Sequence, residues 1–169
     1  MALYTIYNGP APTTASQVAV TTGTAIKTLL QVKPGATQIA RVVEWGISFD
    51  GSAAATPGIV ELCVTDVAAT VVAHVAAGIH KLDSAALASG DPTTNLFAVG
   101  TTSTGYTASA EGTVAAVRMF DAQHISPTNQ YVKQLPLGRE FTINPGEFMR
   151  VRVKFGAAIN AICYVTLEV

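Results

Sequence analysis

Three histidines, two cysteines and a few carboxylates are the side chains with which this chain could do chemistry, and their spacing limits what they can do. His74 and His80 stand six apart with no carboxylate or cysteine at ligand spacing, so no metal site is expected there. Asp83 follows His80 by three residues and Asp121 precedes His124 by three. On strands, an odd separation puts the members of each pair on opposite faces, so neither makes a dyad. Glu44 and Glu61 read as solvated strand positions, near neighbours on adjacent strands. Cys63 and Cys163 are too far apart in sequence for a metal-binding pair. Cys163 lies on the apolar parity of its strand and Cys63 on the more polar parity. Two free thiols are expected, and a disulfide stays open. The chain contains no Gly-x-Ser-x-Gly, Walker, dinucleotide-glycine or His-Glu-x-x-His pattern. The stretch TTSTGYTASAEGT lacks the lysine and following helix of a phosphate loop. No catalytic residue, cofactor site or metal is therefore expected, and the chain does not read as an enzyme.

The residues that do stand out are basic. In FTINPGEFMRVRVKF (141–155) a turn at Pro-Gly separates two strands, and the second alternates strictly. Met149, Val151, Val153 and Phe155 take the core side. Arg150, Arg152 and Lys154 take the other side, and they are the candidate interface of this chain. Like charges two apart on a strand repel, so acidic groups must offset them. Glu140, Glu147 and Glu168 are the nearby candidates. Arginine at two of the three positions favours pairing with carboxylates over mere solubility. The alternative is a wet strand face.

The elements that must carry this row are short strands. LYTIY (3–7) adds a short strand, and QVAVTT and TAIKTLLQV supply two more. On the latter, Thr24, Ile26, Thr28, Leu30 and Val32 share a face. Lys33-Pro34-Gly35-Ala36 fits a type II turn. In ARVVEWGISFDG (40–51), Val43, Trp45, Ile47 and Phe49 share the core side, and in IVELCVTDV that side belongs to Val60, Leu62 and Val64. Residues 68–83 read as extended, because Thr70-Val71-Val72 outweighs Asp66 as a helix cap. A helical turn after Asp83 is expected. Residues 90–113 read as loops with at most short edge strands. VAAVRMFDAQHI, YVKQLPLG and a closing AICYVTLEV complete a set of about eight strands. The expected fold is all-β, an antiparallel sandwich of jelly-roll type in a single domain, 1–169, with an extended N-terminal arm at 8–16.

Composition narrows the function classes. Apolar residues make up 49% of the 169 and charged residues only 12%, about half the share of a typical soluble domain. Disordered chains are charge-rich, so disorder is excluded. No apolar run approaches the roughly 18 residues of a membrane helix. MALYTIYNGP has no basic stretch leading into an apolar one, so no export signal is expected. A net charge of -1 carries no nucleic-acid footprint. A neutral surface rich in small residues suits contact with other subunits.

TGYTASAEGT, FDAQHISPTNQYVKQLPLGREF and FMRVRVKFGAAINAICYVTLEV resemble stretches of small virion proteins of tailed bacteriophages and prophages, of the head decoration or cement type. The resemblance spans residues 40–169 and is strongest after 104. It implies a jelly-roll-like sandwich that assembles around a symmetry axis, a trimer first, and binds the major capsid protein or another virion protein. It implies location in the virion; the apolar runs and net charge, read separately, predict no membrane or nucleic-acid partner. A tail-associated structural protein, or a trimeric TNF/C1q-like or lectin-like binding module, is the alternative.

Overall fold

The computed structural model describes residues 2–51, 56–82 and 96–169. It is all-β. Thirteen strands are described: β1 (Leu3–Tyr7), β2 (Val20–Thr21), β3 (Lys27–Val32), β4 (Ala40–Phe49), β5 (Gly58–Thr65), β6 (Thr70–Ala73), β7 (Ile79–Lys81), β8 (Gly105–Ala110), β9 (Val117–Ile125), β10 (Gln130–Gln134), β11 (Phe141–Ile143), β12 (Phe148–Lys154) and β13 (Asn160–Glu168). They form two sheets with antiparallel strand pairing. The first runs β10-β4-β13-β1-β7, with β11 also on β4 and β2 on β13; the second runs β6-β8-β3-β12-β5-β9. The sheets pack face to face as a sandwich, and one core fills the space between them. Tyr4, Ile6, Leu30, Trp45, Leu62 and Met149 are fully buried in it. The core parity read for β12 and β13 holds, from Met149 to Phe155 and from Ala161 to Leu167.

Four local expectations change. LYTIY is no peripheral addition: β1 lies between β13 and β7, with Tyr4 and Ile6 buried. The arm begins later than expected. Asn8 is buried, its Nδ2 donating to Ala161 O at 3.0 Å and its Oδ1 accepting from Cys163 N at 2.9 Å. Residues 12–16 are exposed. The 105–110 stretch is a full strand inside the second sheet, between β6 and β3, rather than an edge. The turn after β3 falls two residues beyond the expected Lys33–Ala36: Gln38 N donates to Gly35 O, closing Gly35–Gln38.

Two parities also change, each at a β-bulge. The β4–β13 register shifts between Thr166 and Leu167, which brings Val42 into the core and leaves Val43 half-buried. The β3–β12 register shifts between Val151 and Arg152, so Leu29 is buried and Ile26 is exposed. The extended reading of 70–73 holds, and Asp66 caps no helix. Its Oδ1 accepts the Ala115 and Ala116 amides. The helical turn expected after Asp83 lies outside the described residues.

The Pro-Gly turn forms as read. Glu147 N donates to Asn144 O at 3.1 Å, and Gly146 takes a φ of 86°, open to glycine at little cost. The strands it joins do not pair with each other. β11 lies on β4 in one sheet and β12 between β3 and β5 in the other, so the turn arches from sheet to sheet. A second tie closes the same side of the sandwich. Asp121 on β9 accepts from Tyr131 Oη at 2.8 Å and faces Lys133 Nζ at 3.3 Å, both on β10. Phe120 stacks on Phe141 at 4.6 Å beside them.

Candidate interaction surfaces

The basic row lies on the outer face of the second sheet, and its three members meet three different fates. Arg150 pairs in register with Gln31 on one side and Cys63 on the other, and its side chain is wholly buried. Its Nη1 donates to Glu111 O at 3.0 Å and to Glu111 Oε2 at 3.3 Å, and its Nη2 donates to Val67 O. Glu111 is held in turn by Thr28, whose N–H and Oγ1 donate to its two oxygens at 2.6 and 2.5 Å. Gln31 ties the same roof down, exchanging bonds with Ala69 and donating to Ser103 O at 2.6 Å. Burial pulls the Arg150 ionisation down and the Glu111 carboxylate pushes it back up. Arg150 is thus an internal lock and is not presented to a partner.

Arg152 pairs with Glu61 across the β12–β5 ladder. Its Nε and Nη2 donate to Glu61 Oε2 at 3.1 and 2.7 Å. The offsetting acids are therefore Glu61 and Glu111. Glu147 pairs instead with Arg118 at 2.7 Å, and Glu168 lies 3.9 Å from Arg41. Lys154 alone is exposed, with no ion pair to another described residue. A groove of about 180 Å³ runs past it, walled by the side chains of Ile26, Ile59, Glu61 and Arg152.

The other candidates stay apart. Glu44 is on β4 and Glu61 on β5, in different sheets, so they are not neighbours on adjacent strands. Cys63 and Cys163 are free, buried and on separate sheets. Cys63 is enclosed despite its polar parity, because the roof above Arg150 covers it; burial pushes its thiol up to about 11. Asp121 is bonded to Tyr131, Gln123 and Lys133 and not to His124. Among the described residues, no three His, Cys, Asp or Glu side chains gather as a metal site would need. His74 is buried, its Nε2 2.8 Å from Tyr7 O and its ring on Tyr106 at 4.9 Å. Burial pulls its pKa down to about 4, so the ring is neutral at pH 7.

The outer face of the first sheet has a different character. The ladders align Val132, Gly46, Tyr164 and Tyr7 in one row across four strands. Gln134, Glu44, Thr166, Thr5 and His80 form the next row. Tyr164 lies over Gly46, where a Cβ would sit 2.6 Å from its ring, and its Oη donates to Glu44 Oε1 at 2.5 Å. Burial and the Glu44 carboxylate both push the Tyr164 hydroxyl pKa up. The Tyr7 ring sits between Tyr164, at 5.7 Å, and His80, at 6.2 Å.

The sequence marks the row on β12 but not its acids, since Glu111 lies 39 residues away in a loop-like stretch. Tyr7 and Tyr164 carried one available signal, an aromatic on the outward parity of an otherwise well-alternating strand. Comparison with family models, curated proteins and solved structures finds no match to this chain.

Proposed function

We propose that this chain is a non-enzymatic structural protein of a tailed-phage virion, a head decoration protein that binds the shell of major capsid protein as a homotrimer. Two things support the reading: the resemblance of residues 40–169, and the disposition of charge on the second sheet. That disposition is the observation that carries it. In a chain with 12% charged residues, the two arginines of the basic row bond to carboxylates of the same chain. What is left facing outward is Lys154 beside Ile26 and Ile59, which are 48% and 37% exposed. Apolar groups beside one unpaired cation and the already paired Arg152 and Glu61 suit protein contact, because little unpaired charge has to be desolvated. The jelly-roll connectivity belongs to the same proposal.

The test is co-sedimentation of the purified chain with shells of the phage that encodes it. Wild type is expected to pellet with the shells, and Ile26→Asp with Lys154→Glu to remain in the supernatant at an unchanged thermal transition. Equal pelleting of both would remove this patch from the contact, and failure of wild type to bind would refute the decoration role.

A further inference from the structure

We propose that the outer face of the first sheet is a binding groove for a neutral saccharide chain, a property beyond the structural role and independent of it. The shape comes first. An open groove of about 490 Å³ lies between the sheet and residues 12–17, with Tyr7 and His80 on the sheet side. A recess of about 220 Å³ adjoins it through the shared Tyr7 and continues past Tyr164 to Gln130 on β10. Together they offer a path across the sheet, which suits a chain-like ligand better than a compact one.

The chemistry of the lining selects the class. None of the described residues lining either groove is Lys, Arg, Asp or Glu. Phosphate and carboxylate ligands call for cationic partners, so an anionic ligand is disfavoured. A lipid would need a continuous apolar wall, yet Thr5, Ser16, Gln17, Ser48 and Gln130 interrupt it. Amides and hydroxyls both donate and accept, as a sugar hydroxyl requires of its partners. The C–H face of a pyranose is apolar and flat, and it packs on an aromatic ring that keeps a polar tip in water.

The rings are also held in place before any ligand arrives. Tyr164 is fixed by Glu44 and by the missing side chain of Gly46, and Tyr7 is wedged between Tyr164 and His80. Fixed rings lower the ordering cost of binding.

The test uses linear neutral hexasaccharides of glucose, galactose and mannose, in α and β linkage, titrated at millimolar concentration into the isotope-labelled full chain. Binding by at least one of them is expected, with amide shifts centred on Tyr7, His80, Gln130 and Tyr164. Tyr7→Ala is expected to weaken it about tenfold. Gln130→Ala, at an exposed position that cannot compromise the fold, is expected to weaken it about threefold. Three results would overturn the proposal: no binding by any hexasaccharide, shifts confined to another surface, or binding of a proline-rich peptide to this groove in place of every sugar. None of these readouts involves the capsid shell, so failure here and failure of shell binding are distinguishable.

Discussion

Arg150, Arg152 and Lys154 are chemically similar and two residues apart, yet their environments grade from fully enclosed to open, and their energetic weight should grade likewise. Removing Arg150 strips from Glu111 its one charged donor among the described residues and leaves the carbonyls of Val67 and Glu111 without their guanidinium. Breaking a buried pair by deleting one partner costs about 3 kcal/mol. Arg152→Gln should cost about 1 kcal/mol, since Glu61 retains access to water. Lys154→Gln should change stability by under about 0.5 kcal/mol. Denaturant unfolding of Arg150→Met, Arg152→Gln and Lys154→Gln checks the order, and equal costs would contradict it. His74 supplies a second test at this scale. Its folded pKa of about 4 lies below the ordinary 6.5, so the unfolded chain takes up the proton first. Its contribution is complete above about pH 6.5 and is lost as pH falls toward 4, by on the order of 3 kcal/mol. His74→Gln keeps a donor toward Tyr7 O without a titrating ring. The pH dependence of its unfolding free energy should be flatter than that of wild type in this window, and parallel curves would rule His74 out.

Among the elements, β1 and the segment after it should behave oppositely. β1 is paired on both sides and buries Tyr4 and Ile6, whereas residues 12–16 are exposed and outside any strand. Replacing residues 10–16 by a Gly-Ser linker should leave the thermal transition within a few degrees of wild type. Deleting residues 2–7 should leave no cooperative transition in calorimetry; a surviving transition would show β1 to be dispensable. These same elements show how far sequence reading reaches. Strict alternation in β12 and β13 identifies their core faces because nothing interrupts their pleat there. In β4 and β3 the faces change at bulges, which arise from pairing with β13 and β12 and leave no local mark at Val43 or Leu29. β8 has the composition of a loop and becomes a strand because β6 and β3 present it with a ladder on each side. Asn144-Pro145-Gly146-Glu147 reveals its turn, but which strands pair beyond the turn is a property of the whole sandwich. The same limit hid Glu111 from the reading of Arg150. The Tyr7–Tyr164 face was also illegible, because it exists only once β1 lies beside β13.

For the whole molecule, charge is scarce, 12% of the residues, and the described charged side chains that are buried are Arg150 and Asp121. Arg150 and Arg152 on the second sheet bond to Glu111 and Glu61 of the same chain, so these two cations are satisfied internally. If the proposed assembly buries the Ile26 and Ile59 patch, the purified chain is expected to sediment as a trimer at micromolar concentration and to remain so at high salt, because apolar contacts are not screened by ions. A monomer, or dissociation by salt, would contradict that. The central claim, a structural role on a phage head, is tested most directly by a sub-nanometre map of the particle that encodes the chain. The account predicts all-β density matching this sandwich on the outer surface of the head shell, in threes at the lattice symmetry axes, with Ile26, Ile59 and Lys154 against a neighbour. Density confined to the tail, or a particle complete without this chain, would contradict it.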